Sequence, residues 1–409
     1  MKDAMAVYLS AEEAAKRLGV SRQTLYAYVS RGLLQAHAAA DPRQSRYLSD
    51  EVERLRAERK RGRRPKEVAK STLDWGVPVL ESAITLIRRG RLYYRGQDAV
   101  RLAATATLEE TAALLWGCAV ETAFPPGPPA CLPGYEALLP HCAEAPPTEA
   151  LPILLLAAAA DEATASWRPV DGRFFESCGG LLRLLFAAAL RTRPSAAPLH
   201  RQLATAWRLD EAGADLVRMA LVLCADHELN ASSFTARCIA STGASLRAAV
   251  VGGLCALSGT RHGATTMRNE HFWAGLAPEE TMATQLERRL AAGERIPGFG
   301  HPLYPDGDVR AKALLARVLP EFPVAADLLS AAEGLTGQAP TIDIALVALR
   351  RHLGLPEGAA FMLFALGRTV GWIAQAMEQR GTEHLIRPRA IYTGVQPDEA
   401  GGESGPGAG

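Results

Sequence analysis

The sequence predicts an all-α protein in which a small N-terminal unit precedes a large helical domain. Three observations predict this fold class. The chain has 409 residues, of which 48% are hydrophobic, enough to bury a large core. Its second half is rich in Ala and Leu and offers few strand candidates. Capping residues and glycines divide the N-terminal stretch into two short helices.

Composition restricts the classes of function. The net charge is +1, so any strongly basic region must be local. The seven cysteines are scattered and form no Cys-x-x-Cys pair, which is typical of reduced thiols in a cytoplasm. The N-terminus lacks a signal-peptide core, and no apolar run reaches the roughly 18 residues of a membrane helix. We therefore expect a soluble cytoplasmic protein that does not enter a membrane.

The N-terminal stretch has a helix-turn-helix pattern. Ser10 and Glu13 form a capping box before the first helix, Gly19 ends that helix, and Ser21 opens a second one. Residues 41–48 predict a short winged hairpin, after which a helix resumes. The second helix would present side chains that suit base edges and phosphates, namely Arg22, Gln23, Tyr26 and Arg31.

The run AAKRLGVSRQTLYAYVSRGLL resembles the MerR or excisionase type of winged helix-turn-helix, over residues 7–57. The resemblance implies that a domain at 1–57 binds DNA. A helical hairpin used for protein contacts is the alternative. Residues 58–74 predict a basic linker, which either adds phosphate contacts or is simply solvated. The tail, 395–409, lacks apolar residues and is predicted to be disordered.

A second domain is predicted at 75–394. It begins with two strands around a turn at Arg89-Gly90 and continues as helices. Residues 219–263 are apolar, Ala-rich and free of Pro, which predicts two buried helices, interrupted by the polar cluster Asp226–Asn230. Buried His, Asp and Glu need partners, so this cluster is either a binding site or one satisfied core histidine.

Three later stretches carry further candidates. In 295–310, glycines let the backbone approach a ligand and His301 follows directly. Thr341 is a predicted N-cap that places Asp343 in the first turn of a helix, where an aspartate also has the ordinary use of complementing the helix dipole. Arg368 is the single charge in the apolar stretch FMLFALGRTVGWIAQAM, and such arginines usually have an anionic partner.

Seven pieces of the second domain follow one another in a familiar order: RLYYRGQDAVRLA, ADHELNASSFTAR, SGTRHG, IPGFGHPLYPDGDVRAKAL, PTIDIALVAL, LGRTVGWIAQAMEQ and RPRAIYTG. Together they resemble citrate synthase. The resemblance implies an all-α homodimer whose subunits have a large domain and a small domain, the latter at roughly 230–340. These domains would close over acetyl-CoA and oxaloacetate, the substrates of a transferase of the tricarboxylic acid cycle.

The resemblance also implies residue roles. Asp343 matches the base that removes a methyl proton, His262 the residue that holds the thioester oxygen, and His301 the residue that polarises the oxaloacetate carbonyl. We expect His262 to stay neutral because it lies at a helix start. Oxaloacetate or citrate would be bound by residues of both subunits: His227, Arg310, Arg368 and, from the partner subunit, Arg387.

The chain departs from the family pattern near the expected CoA site. Pro302 and Pro305 stand where the family usually has basic residues. Candidate CoA-binding residues are therefore Gly298, Gly300 and Lys312. No His or Cys spacing predicts a metal site, and no cofactor is expected because acetyl-CoA is a substrate.

Two classes of function remain open. The first is an enzyme that makes citrate, with 2-methylcitrate synthesis from propionyl-CoA as a variant. The second is a DNA-binding transcription regulator whose citrate-synthase-like domain senses a metabolite. A sensor would need the binding arginines but has no use for Asp343, so the sequence favours the enzyme.

Overall fold

The computed structural model describes residues 8–30, 33–38, 45–49, 51–53, 55–56, 80–160, 164–277, 279–382, 384–390 and 392–394. The chain divides into two compact units, Met1–Glu81 and Ser82–Gly409. The predicted linker at 58–74, the predicted tail at 395–409 and Arg31 lie outside the described residues. Each unit is described separately below.

The first unit is a small α+β fold around its own core. A three-stranded antiparallel sheet has Ser45–Leu48 in its centre, between Tyr8–Ser10 and His37–Ala38, and Leu9 lies opposite Tyr47. Leu25 of the second helix joins these two side chains in the core. The elements are β1 (Tyr8–Ser10), α1 (Ala11–Leu18), α2 (Arg22–Ser30), β2 (His37–Ala38) and β3 (Ser45–Leu48), followed by helical residues at 49, 51–53 and 55–56.

Local sequence signals account for the first helix. The Ser10 side chain accepts a hydrogen bond from the Glu13 amide, and the Glu13 carboxylate accepts one from the Ser10 amide at 2.8 Å. Gly19 ends α1 with φ 65°. The predicted capping box and the predicted end of the helix at Gly19 are thus confirmed. Of the predicted hairpin at 41–48, residues 41–44 lie outside the described residues, and Ser45–Leu48 form a strand that pairs with both His37–Ala38 and Tyr8–Ser10.

The second unit begins with a small sheet and is otherwise helical. The predicted strands and the turn at Arg89-Gly90 are confirmed: β4 (Thr85–Arg88) pairs with β5 (Arg91–Tyr94), which pairs with β6 (Gln97–Asp98). Sixteen α-helices follow among the described residues. They are α3 (Ala99–Thr105), α4 (Leu108–Trp116), α5 (Val120–Ala123), α6 (Gly134–Leu138), α7 (Pro147–Ala158), α8 (Gly172–Leu190), α9 (Leu199–Ala206), α10 (Glu211–Leu223), α11 (Ala231–Ser241), α12 (Leu246–Leu257), α13 (Thr265–Ala274), α14 (Met282–Ala291), α15 (Val309–Val318), α16 (Pro323–Thr336), α17 (Ile342–His352) and α18 (Ala359–Arg380), with 3₁₀ turns at Pro140–Cys142 and Leu319–Glu321.

Helix α18 is the centre of this unit. It packs against α4, α10, α11, α12 and α17. By length and composition α18 could cross a membrane, so the prediction that no apolar run is long enough was wrong. However, 94% of its apolar window is buried inside the unit, as expected of a core helix.

The apolar stretch 219–263 forms more helices than predicted. It contains the end of α10, all of α11 and all of α12, so the prediction of two helices was wrong. The additional break lies at residues 242–245, where Gly243 has φ 82° and the Ser245 side chain caps α12. The predicted interruption at Asp226–Asn230 is confirmed as the loop between α10 and α11.

Candidate active site

The loop between α10 and α11 brings polar groups into the core. Asp226 and His227 are both buried. Glu228 follows with φ 54°, a left-handed conformation that is uncommon for a residue with a side chain. Asn230 then caps α11, with its Oδ1 accepting bonds from the amides of Ser232 and Ser233 at 3.1 Å. The cap fixes where α11 begins and thereby positions the loop.

Two predicted histidines meet at a tyrosine. His227 Nε2 and the Tyr304 hydroxyl are hydrogen-bonded at 3.0 Å, and the His227 and His301 rings are 5.2 Å apart. Burial, together with Arg310 and Arg368, lowers the pKa of His227 well below its usual value. Burial and Arg310 lower the pKa of His301 to about 4. Both imidazoles are therefore neutral at physiological pH.

Arg310 is held by a carboxylate that the sequence analysis missed. Arg310 Nε donates to Asp308 Oδ1 at 3.0 Å, and Arg310 Nη2 donates to Asp308 Oδ2 at 2.8 Å. Both residues are at most 2% exposed. Burial opposes ionisation of Asp308, but Arg310 and the hydrogen bonds outweigh it and lower the pKa of that carboxyl. The pair is thus a buried, doubly hydrogen-bonded ion pair.

Asp308 also links Arg310 to the helix of the predicted base. Its Oδ2 accepts a hydrogen bond from the amide of Ile342, the first residue of α17, at 3.0 Å. Asp343 follows in the first turn of that helix. One carboxylate therefore fixes the N-termini of α15 and α17 with respect to each other.

Arg368 lies in the middle of α18 and is 1% exposed. Its Nε donates to the carbonyl of Cys224 at 2.9 Å, whereas its buried Nη2 has no hydrogen-bond partner among the described residues. Burial lowers its pKa, and nearby Asp226 acts in the opposite direction. A buried guanidinium edge with an unfilled donor is suited to accept an anion.

Asp343 is half-buried at the start of α17. The predicted N-cap is confirmed at Thr341, but its hydroxyl donates to Asp343 Oδ2 at 3.2 Å instead of capping the helix backbone. Burial raises the pKa of Asp343 to about 6, although Arg310 acts to lower it. At neutral pH this carboxylate is ionised and is a stronger base than an ordinary aspartate.

His262 lies in the turn before α13. Burial and Arg368 lower its pKa to about 4. His262 is therefore neutral as expected, but the cause is burial and Arg368 and not the helix dipole. The His262 Nε2 atom is 2.8 Å from the Ser232 hydroxyl, which also accepts a bond from Trp372 Nε1 at 3.0 Å.

Two proton arrangements fit the contacts around His262. The Ser232 hydroxyl accepts from Trp372 and has one proton of its own, with Asn230 Oδ1 and His262 Nε2 both 2.8 Å from its oxygen. When this proton goes to Asn230 Oδ1, His262 Nε2 carries a proton and donates to Ser232. When it goes to His262 Nε2, the imidazole proton lies on Nδ1, which is then the donor.

Of the other candidates, the two glycines border this cluster, whereas Lys312 and Arg387 are exposed. Gly298 has φ 83°, and an added Cβ would lie 2.7 Å from Ile344 Cβ, so packing and conformation already require glycine there. An added Cβ at Gly300 would meet the Gln338 side chain. Lys312 is exposed and donates to the Asp306 carbonyl. Arg387 is exposed in the segment after α18.

In the first unit, Arg22, Gln23 and Tyr26 are exposed together on α2, while Leu25 faces the core. Arg22 forms an exposed ion pair with Glu12 at 2.6 Å. Three of the four predicted DNA-contacting side chains therefore share an accessible surface.

Sequence reasoning missed four partners that hold the candidate residues: Asp308, Tyr304, Ser232 and Trp372. Among these four, a local signal was available for Asp308, an aspartate directly before a helix. Among the described residues, no group of three or more His, Cys, Asp or Glu side chains is arranged to hold a metal ion.

Two protein families match the chain. The family described as citrate synthase, C-terminal domain, matches residues 72–124 and 144–389. A helix-turn-helix domain family matches residues 8–60.

Curated relatives include citrate synthase from Haloferax volcanii, 38% identical over 199 residues, which are 45% of this chain and 52% of the relative. They also include 2-methylcitrate synthase 1 from Corynebacterium glutamicum, 33% identical over 188 residues, 44% of this chain and 49% of the relative. The chain thus spans about half the length of these curated relatives.

Solved structures match over a larger share. Citrate synthase from Thermotoga maritima MSB8 has a TM-score of 0.65 at 27% identity, covering 79% of this chain and 96% of that one. A second is citrate synthase from Thermoplasma acidophilum, a ternary complex with carboxymethyl coenzyme A and oxaloacetate. It has a TM-score of 0.66 at 23% identity, covers 80% of this chain and 97% of that one, and supports the fold alone.

Proposed function

Because the chain belongs to the citrate synthase family, we propose that it condenses acetyl-CoA with oxaloacetate to give citrate and CoA. One observation carries the proposal: the buried guanidinium groups of Arg310 and Arg368 lie near two neutral histidines, His227 and His301. Guanidinium groups bind carboxylates bidentately, and neutral imidazoles donate hydrogen bonds without adding charge. This combination suits a small dianion such as oxaloacetate.

The first step would be removal of a methyl proton from acetyl-CoA. A thioester methyl is a very weak acid, so a carboxylate alone cannot deprotonate it at a useful rate. Asp343, with its pKa raised to about 6, would take the proton. His262 would donate a hydrogen bond from Nδ1 to the thioester oxygen and thereby stabilise the enol or enolate, in the tautomer whose Nε2 accepts from the Ser232 hydroxyl.

The second step would be carbon–carbon bond formation. The enol carbon attacks the oxaloacetate carbonyl, which His301 polarises by a hydrogen bond; the carbonyl π bond breaks, its oxygen takes the proton from His301, and citryl-CoA forms. Water then adds to its thioester carbonyl, the carbon–sulfur bond breaks, and CoA leaves as the thiol. Closure of the two helical domains would exclude water until condensation is complete.

The complete enzyme is proposed to be a cytoplasmic homodimer in which Arg387 of each subunit reaches the other subunit's oxaloacetate. Its exposure here leaves it accessible for that role. The glycines at 298 and 300 and Lys312 remain candidates for contacts with CoA. No cofactor is required by this chemistry.

Two alternatives follow from particular observations. Because 2-methylcitrate synthases are among the curated relatives, propionyl-CoA is an alternative substrate. The matching helix-turn-helix domain and the exposed face of α2 support DNA binding by the first unit, in which case the second unit could serve as a metabolite sensor.

Substitution of the base separates the enzyme from the sensor. We expect Asp343→Ala to abolish oxaloacetate-dependent CoA release while thermal stabilisation by oxaloacetate persists. At 100 times Kd that stabilisation is about 2.7 kcal/mol. An active Asp343→Ala variant would contradict the mechanism. Wild-type protein that is stabilised by oxaloacetate but does not release CoA would support the sensor.

A further inference from the structure

Phe364 contacts both parts of the candidate site. Its ring meets that of His262 edge-on, with centroids 6.3 Å apart and an interplanar angle of 80°. The Arg368 guanidinium carbon lies 4.8 Å from the centroid of the same ring. Phe364 and Arg368 are one turn apart on α18, and Phe364 is only 5% exposed. The ring therefore borders both the imidazole that would hold the thioester and the guanidinium that would hold oxaloacetate.

The groups on both sides of the ring are anchored. His262 is bonded to Ser232 at 2.8 Å, and Trp372 donates to the same hydroxyl at 3.0 Å. Arg368 is tied to the carbonyl of Cys224 at 2.9 Å. Phe364 itself belongs to the buried, 22-residue helix α18. A larger acyl group could not displace the ring without moving one of these anchored groups.

Resting on the proposed function, the geometry points to Phe364 as the residue that limits the acyl group to two carbons. Propionyl-CoA differs from acetyl-CoA by one methylene, attached to the carbon that loses the proton. That carbon must approach oxaloacetate in the region bordered by Phe364. A hydrophobic pocket discriminates one methylene by about 10- to 200-fold. We expect wild-type kcat/KM to favour acetyl-CoA over propionyl-CoA by a factor in this range.

The test is the ratio of kcat/KM for propionyl-CoA to that for acetyl-CoA, measured on the full chain at saturating oxaloacetate. Phe364→Leu removes ring volume, and we expect it to shift the ratio toward propionyl-CoA by about tenfold or more. A general loss of stability would lower both rates without moving their ratio. Phe364→Met, an adaptable unbranched side chain, tests the same shift if the leucine variant does not fold.

Phe174 provides a matched control. It is buried on α8, and the Arg380 guanidinium lies 4.7 Å from its ring centroid, nearly the distance of the Arg368–Phe364 pair. Phe174→Leu removes the same side-chain volume and an equivalent cation–π contact, but far from the proposed acyl site in sequence and role. We therefore expect its ratio of kcat/KM for propionyl-CoA to that for acetyl-CoA to equal the wild-type ratio.

Three outcomes would overturn the inference while leaving condensation intact: an unchanged ratio in Phe364→Leu or its methionine counterpart, an equal shift in Phe174→Leu, or a wild-type preference for propionyl-CoA. Wild-type protein that releases no CoA from either thioester in the presence of oxaloacetate would instead refute the proposed function, and this inference with it.

Discussion

Replacing Asp308 with Asn should loosen the N-termini of two helices at once. Asp308 Oδ1 accepts from the amide and Nε of Arg310, and Oδ2 accepts from Arg310 Nη2 and the amide of Ile342, at 2.8 to 3.0 Å. Asparagine replaces one oxygen by an amino group that would face these donors. Arg310 would then be a buried charge without its counter-ion.

Burial sets the size of the effect. Asp308 and Arg310 are 1% and 2% exposed. Removing one partner of a buried ion pair costs about 3–5 kcal/mol, which exceeds the ~1 kcal/mol typical of a lost N-cap. If the transition state is destabilised by the same free energy, kcat/KM falls by about 160- to 5,000-fold, because each 1.36 kcal/mol corresponds to a factor of ten.

The assay is urea unfolding of the full chain, with CoA release measured on the same preparations. Glu211→Gln is the matched control, because Glu211 forms an ion pair with Arg201 at 2.6 Å but is largely exposed. We expect no measurable change there, since exposed pairs are screened by solvent. A destabilisation by Asp308→Asn of less than about 1 kcal/mol would refute the assignment of Asp308 as the joint support of both helices.

Three further predictions concern the base, its partner and the domain boundary. Asp343 must be ionised to accept a proton, and its pKa is about 6. The value of kcat/KM for acetyl-CoA should therefore be constant above pH 6 and fall tenfold per pH unit below it. A profile that stays flat down to pH 5 would contradict this role. Ser232→Ala removes the hydrogen bond that orients His262, so kcat should fall about tenfold while KM for oxaloacetate stays unchanged. Steady-state kinetics measure both constants, and a change in KM without a change in kcat would contradict this positioning role. Deleting residues 1–70 should leave a folded, active second unit, checked by circular dichroism and CoA release; loss of folding would refute the boundary.

The sequence was most informative where the determinants are local. The capping box at Ser10 and Glu13, the left-handed Gly19 and the turn at Arg89-Gly90 each involve residues within a few positions of one another, so their patterns predict structure directly. The additional break at 242–245 did carry a local signal, because Thr242, Gly243 and Ser245 form a polar cluster with a glycine, and treating the whole stretch as apolar overlooked it.

Contacts between distant residues were beyond this reasoning. His227 bonds a tyrosine 77 positions away, and His262 bonds a serine 30 positions away. Such pairs depend on how the helices pack, which the pattern of one segment does not specify. The neutral state of His262 illustrates the point, because burial and a guanidinium from α18, not its own helix, lower its pKa.

The most direct test of the central claim is CoA-thiol release by the purified full-length protein with acetyl-CoA, in the presence and absence of oxaloacetate. The proposed mechanism predicts release that requires oxaloacetate and is lost in Asp343→Ala. Release at the same rate without oxaloacetate would indicate simple thioester hydrolysis and would contradict condensation, as would the absence of release under both conditions.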